Sequence, residues 1–101
     1  MLHLTLRQLK VFESVARYLS YSRAADELHL TQPAVSMQIK QLEDNINLPL
    51  FEQLGKRIFL TEAGQELYQY SRAISQQLAD LEVALDELKG MERGKLNISV
   101  V

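Results

Sequence analysis

The chain has 101 residues, of which 47% are hydrophobic, so it can form one small domain with a shallow core. It contains no cysteine, no apolar run of the roughly 20 residues that a membrane span requires, and no secretory signal pattern at its amino terminus. These absences exclude a disulfide framework and a thiolate metal site, and we expect a soluble cytoplasmic protein. The net charge of −2 does not indicate a nucleic-acid-binding protein, so any case for DNA must rest on geometry.

Two helices are predicted first. The segment "TLRQLKVFESVARYLS" begins with a capping-box pattern, Thr5 followed three residues later by Gln8. Its apolar residues recur at helical spacing: Leu6, Leu9, Phe12, Val15, Ala16 and Leu19. The segment "SRAADELHL" predicts a shorter helix with Ser22 as its cap, and its inward-facing residues are Ala24, Ala25 and Leu28.

A third helix is predicted in "TQPAVSMQIKQLE", residues 31–43. The hydroxyl of Thr31 can accept a hydrogen bond from a free amide of the first turn, and Pro33 suits that turn because its missing N–H has no partner to lose. One side of the helix is apolar, with Val35, Ile39 and Leu42. The other side carries mostly small, hydrogen-bonding groups: Gln32, Ser36, Met37 and Lys40.

The next segments predict a hairpin and a long helix. The runs "LPLFEQL" and "RIFLT" flank Gly55 and Lys56, which is typical of a small β-hairpin. Thr61 then caps a helix that we expect to run to Gly90, about 40 Å at 1.5 Å per residue. A domain of 60 residues cannot cover that length. The alternating segment "GMERGKLNISVV" predicts the first strand of a second domain that is missing from this chain.

Two short helices joined by a tight turn match the helix-turn-helix pattern. The exposed side chains of the second helix suit base edges, since glutamine can bond adenine at two points and alanine or methionine can contact a thymine methyl. The expected base contacts are Gln32, Pro33, Ala34, Ser36 and Met37. The hairpin would form a wing with Lys56 and Arg57 at its tip. The alternative is an ordinary helical corner with a solvated face and a surface turn, and the helical pattern alone leaves the two interpretations evenly matched.

The segments "SRAADELHLTQPAVSMQIKQLE" and "LPLFEQLGKRIFLTEAG" resemble the amino-terminal domain of LysR-type transcriptional regulators, in register over about sixty residues. The resemblance implies a mostly α fold: a winged helix-turn-helix with a small β-hairpin wing, then a long dimerising linker helix. It also implies a separate effector domain of periplasmic-binding-protein type. The expected organisation is a DNA-binding domain over 1–61 (helix-turn-helix 21–40, wing about 50–61), a linker helix over 62–90, and the start of the effector domain over 91–101.

Two positions depart from the broad family pattern, which often has a basic residue at Met37 and an arginine at Gln53. Losing both cations should weaken phosphate binding and move it to Lys40, Lys56, Arg57 and backbone amides. However, "QPAVSMQIKQLE" and "LFEQLGK" resemble the branch that controls carbon-fixation (RuBisCO) operons, the CbbR-type regulators, in which these are not departures. The expected phosphate contacts are Ser22, Arg23, Thr31, Lys40, Gln53, Lys56 and Arg57.

The long helix carries an apolar stripe whose spacings from Ile74 onward are four, three, four and three, a heptad seam that Ser71 interrupts upstream. Such a stripe needs a partner. The expected dimer interface comprises Leu67, Tyr70, Ile74, Leu78, Leu81, Leu85 and Leu88. The resemblance implies antiparallel pairing, and a two-fold dimer predicts an interrupted palindromic operator. The alternative is that the helix folds back on its own domain, where the first helix could cover only its first turns.

An enzyme is not expected. The only imidazoles are His3 and His29, 26 positions apart, and there is no glycine-rich phosphate loop or pair of catalytic carboxylates. No metal or cofactor is expected in this fragment, and a small-molecule effector is expected on the missing carboxy-terminal domain.

We therefore expect the sequence-specific DNA-binding domain of a bacterial transcription regulator, an activator of carbon-fixation genes. Its expected partners are double-stranded DNA, a second copy, a higher oligomer at full length and, indirectly, RNA polymerase, with no membrane. The alternative is a helical dimerisation module that binds only protein.

Overall fold

Helices dominate the fold, which carries one hairpin. The computed structural model describes the backbone of residues 3–100 and the side chains of residues 3–91. Within that range the elements are α1 (Leu6–Tyr18), α2 (Tyr21–Leu28), α3 (Gln32–Ile46), β1 (Phe51–Leu54), β2 (Arg57–Leu60) and α4 (Glu62–Val100). This order confirms the predicted winged helix-turn-helix followed by a long helix. Among the described residues, no helix is both long and apolar enough to span a membrane.

Hydrogen bonds from short polar side chains set where α1 and α2 begin. The predicted capping box is present: Thr5 Oγ1 accepts from the Gln8 amide at 3.1 Å, and Gln8 Oε1 accepts from the Thr5 amide at 3.2 Å. The prediction that Ser22 caps α2 was wrong. Leu19 adopts a left-handed conformation that ends α1, so Ser20 is already extended and its hydroxyl accepts from the Arg23 amide.

The turn between α2 and α3 is closed by backbone geometry at His29, which is left-handed with φ 57°. The Leu30 amide then donates to the Ala25 carbonyl at 2.9 Å. Thr31 Oγ1 accepts from the Ala34 amide at 3.2 Å, and proline lies in the first turn, as the sequence predicts. These bonds hold the start of α3 in one direction relative to α2.

The core lies where α1, α2 and α3 meet. The buried face of α3 comprises Val35, Ile39 and Leu42, as predicted. Ala24 and Ala25 are buried and small enough for α2 to cross its neighbours closely. Under the wing, Phe12 contacts the ring of Phe51, with ring centroids 5.4 Å apart.

The wing is an antiparallel pair joined by Gly55 and Lys56. Gly55 has φ 65°, and a single positive φ at the first central position is the pattern of a type II′ hairpin turn. In the register, Gln53 pairs with Ile58, while Leu54 pairs with Arg57. Directly paired residues share a face, so Gln53 and Arg57 lie on opposite faces of the wing.

The long helix is anchored at its start and extends beyond its predicted end. Thr61 Oγ1 accepts from the Gly64 amide at 3.0 Å, which fits its predicted role as a cap. The predicted stop at Gly90 and the strand after it were wrong, because α4 continues to Val100. A helix satisfies its backbone groups within the segment itself, whereas a strand needs a neighbour, and each of the two glycines here, Gly90 and Gly94, costs about 1 kcal/mol in a helix.

The first turns of α4 pack against the winged domain. Leu67 lies half-buried against the core, so part of its side chain is already covered by its own domain. Further along, Ser75 Oγ donates to Glu13 Oε2 on α1 at 2.8 Å. The helix is therefore attached to α1 through its fourth turn, farther than the sequence-based alternative assumed.

Candidate nucleic-acid interface

The outer face of α3 is open to solvent over its first two turns. Gln32, Pro33, Ser36 and Met37 are exposed, and Met37 is 61% exposed. Ala34 is half-buried, so only part of its methyl group is accessible. All five residues predicted to contact bases therefore lie between positions 32 and 37, and four of them are exposed to solvent.

A cleft separates the start of α3 from the wing, with a volume of about 320 Å³. Its polar lining brings together four residues that were predicted to contact DNA, from α2, α3 and the wing: Ser22, Gln32, Gln53 and Lys56. Ser22 Oγ lies 3.5 Å from Gln32 Oε1, which makes a weak hydrogen bond across the two helices. The cleft therefore places hydroxyl and amide groups and one cation side by side.

The predicted phosphate-binding cations are free among the described residues. Arg23, Lys40, Lys56 and Arg57 are exposed, and the ion pair found within residues 3–91 joins Arg17 and Glu27 instead. The two cations of the wing lie on different faces. Lys56 lines the cleft, while Arg57 lies on the opposite face beside Leu54. The two side chains therefore begin on different faces of the wing.

Two other predicted phosphate contacts already have structural roles. Thr31 Oγ1 accepts from the Ala34 amide, and Gln53 Nε2 donates to the Gly55 carbonyl at 3.2 Å. Each side chain keeps one further donor, the hydroxyl proton of Thr31 and the second amide proton of Gln53. Both residues can therefore hold their turn and still donate to an anion.

An ion pair supports α2 from behind. Glu27 Oε1 accepts from Arg17 Nη1 and Glu27 Oε2 accepts from the buried Ser14 Oγ, both at 2.9 Å. The hydrogen bond from Arg17, aided by that from Ser14, lowers the pKa of the Glu27 carboxyl, while the same bond raises the pKa of Arg17. This network joins α1 to α2 and so orients the helix that leads into α3.

Sequence reasoning missed two residues beside the site. Tyr21 lines the cleft and packs edge-on against Phe51, with ring centroids 6.0 Å apart; burial, and then the charge of Glu43, raises the pKa of its phenol. Glu43 Oε2 accepts from the Leu50 amide at 2.7 Å. No local pattern predicts either contact, because the partner residues belong to other elements. An acid near the end of a helix that is predicted to face DNA was the one available signal.

The residues of the predicted dimer seam are distributed along α4. Tyr70, Ile74, Leu81, Leu85 and Leu88 are exposed, whereas Leu78 is half-buried. Leu78, Leu81 and Leu85 line an apolar groove of about 740 Å³ between α4 and α1. Arg7 and Lys10 of α1 lie on the opposite rim. Four of the seven seam residues, Leu78, Leu81, Leu85 and Leu88, therefore lie beyond Ser75, where α4 is last bonded to α1.

Comparison with known proteins gives a consistent result. The profile described as "Bacterial regulatory helix-turn-helix protein, lysR family" matches residues 6–65. The RuBisCO operon transcriptional regulator of Allochromatium vinosum is 63% identical over 99 residues, which cover 98% of this chain and 33% of that protein. The HTH-type transcriptional regulator CbbR of Rhodospirillum rubrum is 53% identical over 96 residues, covering 95% and 32% respectively. The chain thus spans about a third of the length of these curated relatives.

Solved structures match the fold. The crystal structure of a BenM_DBD/benA site 1 DNA complex has a TM-score of 0.80 at 28% identity, covering 84% of this chain and 96% of that one. The crystal structure of a CbnR_DBD–DNA complex has a TM-score of 0.73 at 32% identity, covering 78% and 91%. Both matched structures are complexes with DNA.

Proposed function

The chain belongs to the lysR family of bacterial regulatory helix-turn-helix proteins, and from this premise we propose that it is the sequence-specific DNA-binding domain of an activator of carbon-fixation genes. The observation that carries the proposal is the exposed face of α3 beside the cleft. A helix is 10–12 Å across and fits a major groove about 12 Å wide. The names of the relatives in Allochromatium vinosum and Rhodospirillum rubrum support the choice of operon.

The exposed residues divide into two roles under this proposal. Base edges would be contacted by Gln32, Ser36 and Met37, with Pro33 and Ala34 fitting against thymine methyl groups. Phosphate contacts would position the helix without reading sequence. They would come from Ser22, Arg23, Thr31, Lys40, Gln53, Lys56 and Arg57. Because Lys56 and Arg57 point away from each other, the wing would contact two different phosphates.

A second copy would cover the exposed seam of α4. The leucines at 81, 85 and 88 are 52%, 47% and 57% exposed, too much apolar surface for a lone helix. The rim of the α1–α4 groove carries Arg7 and Lys10, while α4 carries several exposed acids, so an antiparallel partner helix would bring opposite charges together. A two-fold dimer would read an interrupted palindrome.

The remaining functions of a full regulator would lie outside these residues. The relatives are about three times as long as this chain, and a small-molecule effector would bind in the additional portion. This fragment would carry no catalytic role. It would act on chromosomal DNA in the cytoplasm, and its effect on RNA polymerase would be indirect.

The test of DNA binding is selection of bound sequences from a random duplex pool, followed by titration of the selected duplex against salt. Binding should weaken steeply as salt rises, with a slope of log affinity against log salt near −0.9 for each neutralised phosphate. Enrichment of an interrupted palindrome would support the dimer. A flat salt response, or no enrichment, would instead support the dimerisation module that binds only protein.

The test of base reading is Gln32→Ala, which should cost about 1–3 kcal/mol on the selected site and remove the preference at one base pair of each half-site. The matched control is Gln69→Ala, which removes an exposed glutamine from α4. The control should bind like the original chain. Equal weakening of all sequences by Gln32→Ala would show that this side chain does not read bases.

A further inference from the structure

Glu43 connects the recognition helix α3 to the wing. It lies near the end of α3, and its Oε2 accepts from the backbone amide of Leu50, one residue before β1 begins, at 2.7 Å. A carboxylate that accepts from an amide at this distance makes one of the stronger hydrogen bonds in proteins. The Leu50 side chain is completely buried, so the peptide that Glu43 holds is fixed on its other side by the core.

The same peptide is where both ends of the wing meet. The Leu50 carbonyl accepts from the Thr61 amide at 3.0 Å, and Thr61 Oγ1 donates to the Pro49 carbonyl at 2.6 Å. Gly64, in the first turn of α4, packs so closely that a Cβ atom would overlap the Leu50 carbonyl oxygen. The hairpin, the linker helix and α3 are therefore joined at Leu50.

A hairpin of two four-residue strands depends on this attachment. Two-stranded hairpins are marginally stable by themselves, and the wing forms no larger sheet within the described residues. At about 3.4 Å per residue, the tip lies roughly 13 Å from the base, so a small rotation at Leu50 displaces Lys56 and Arg57 by several ångströms. The base must be held firmly if the tip cations are to meet phosphates.

We propose that Glu43 is a positioning residue for the wing: by holding the Leu50 amide, it sets where Lys56 and Arg57 lie relative to the exposed face of α3. The inference rests on the proposed DNA-binding function and adds a role to it. It assigns an acidic side chain of the recognition helix to DNA binding without any contact with DNA, which its charge would disfavour.

The test separates the reach of the side chain from its charge. Glu43→Asp keeps the charge but is one methylene too short for the Leu50 amide, whereas Glu43→Gln keeps both the reach and an acceptor oxygen. Asp44→Asn is the matched control, because it removes a neighbouring exposed acid. Each variant of the 101-residue chain is titrated on the selected duplex over a range of salt concentrations, and its helical content is checked by circular dichroism.

The expected result is a change in salt slope. Loss of two phosphate contacts at each wing lowers the magnitude of the slope by about 1.8 for each bound copy, or about 3.6 for a dimer on both half-sites, at 0.9 for each contact. Glu43→Asp should show this decrease, as should the double variant Lys56→Ala/Arg57→Ala. Glu43→Gln and Asp44→Asn should keep the original slope. A general loss of stability would lower the active fraction of protein and leave the slope unchanged.

Energetic coupling gives an independent readout. Adding Lys56→Ala and Arg57→Ala to Glu43→Asp should weaken binding by less than about twofold, because the wing contacts are already lost. Two outcomes would overturn the role of Glu43 and leave the proposed DNA binding intact. One is full additivity of the effects of Glu43→Asp and the two wing substitutions on binding, and the other is an unchanged salt slope in Glu43→Asp while the original chain binds normally. Absence of salt-dependent binding by the original chain to any duplex would overturn the proposed function as well. If Glu43→Asp fails to fold, hydrogen exchange of backbone amides provides the test. The Leu50 amide must exchange faster in Glu43→Ala than in Glu43→Gln, and equal rates would refute the proposal.

Discussion

The winged domain and the later turns of α4 differ in how their apolar residues are covered. In the winged domain, residues from α1, α2, α3 and the start of β1 enclose one another, and Phe12, Val35 and Leu42 are completely buried. Along α4 beyond Ser75, every described residue except Leu78 is exposed. The winged domain therefore buries its own apolar residues, whereas the apolar stripe of the linker helix stays exposed among the described residues.

This comparison has a consequence for substitutions. In the winged domain, a change should alter the free energy of unfolding. On α4 it should alter association and leave the fold of the winged domain intact. Each of the following experiments tests one side of that division, in order of decreasing effect.

The largest effect is expected for Leu81→Asp. Each dimer would lose two buried leucines, at about 1.5–3 kcal/mol each, so the dissociation constant should rise by about 10²- to 10⁴-fold. Sedimentation should show monomers with an unchanged winged domain. Val83→Asp is the control, because it places the same charge on an exposed apolar residue on the other side of α4. Unchanged dimers in Leu81→Asp would refute the proposed interface.

Gly64→Ala should be next, with a loss of about 1–3 kcal/mol in the free energy of unfolding. The added Cβ would overlap the Leu50 carbonyl oxygen and crowd Leu60, which outweighs the higher helix propensity of alanine. Gly90→Ala is the control on the other side of the comparison. It has no neighbour within 4 Å and should raise helical content instead. Urea unfolding followed by circular dichroism measures both, and equal effects would contradict the division.

The smallest effect is expected for Glu27→Gln, about 1 kcal/mol at neutral pH, because the ion pair with Arg17 is exposed and only the bond from Ser14 is buried. The folded state lowers the pKa of Glu27 below its ordinary 4.5. The stabilisation should therefore be complete above about pH 4.5 and be lost as pH falls through the lowered pKa.

Urea unfolding at pH 7 and pH 3 checks this pH dependence. The difference between the original chain and Glu27→Gln should be present at pH 7 and smaller at pH 3. Asp26→Asn replaces a neighbouring exposed acid and should leave the free energy of unfolding unchanged at both pH values. A difference that grows at low pH would contradict the assigned cause.

Local patterns were sufficient for much of the fold. The capping box at Thr5 and the Thr31–Pro33 start of α3 depend on bonds between residues three apart, and the hairpin depends on Gly55. Such short-range signals are visible in the sequence because both partners stand in the same window. The alternation after Gly90 predicted a strand where the structure has helix, because a short-range pattern does not specify the second strand with which a strand must pair.

Within the candidate site, sequence reasoning named the exposed residues of α3 and the wing cations. It could not show that Lys56 and Arg57 occupy opposite faces, because that follows from the register of the hairpin. Nor could it show that Leu67, whose spacing fits the dimer seam, lies half-buried against the core of its own domain. Heptad spacing describes a face of a helix and does not say what lies against that face.

By itself, the sequence determined which segments before Gly90 become helix or hairpin and which face of α3 is polar. These depend on covalent neighbours, side-chain periodicity and the backbone preferences of proline and glycine. Only the tertiary structure decided that Glu43 holds the Leu50 amide, that α1 lies along α4 as far as Ser75, and that the cleft unites Ser22 with Lys56. These contacts join residues from different elements, and their geometry exists only once the shared core has set the angles between those elements.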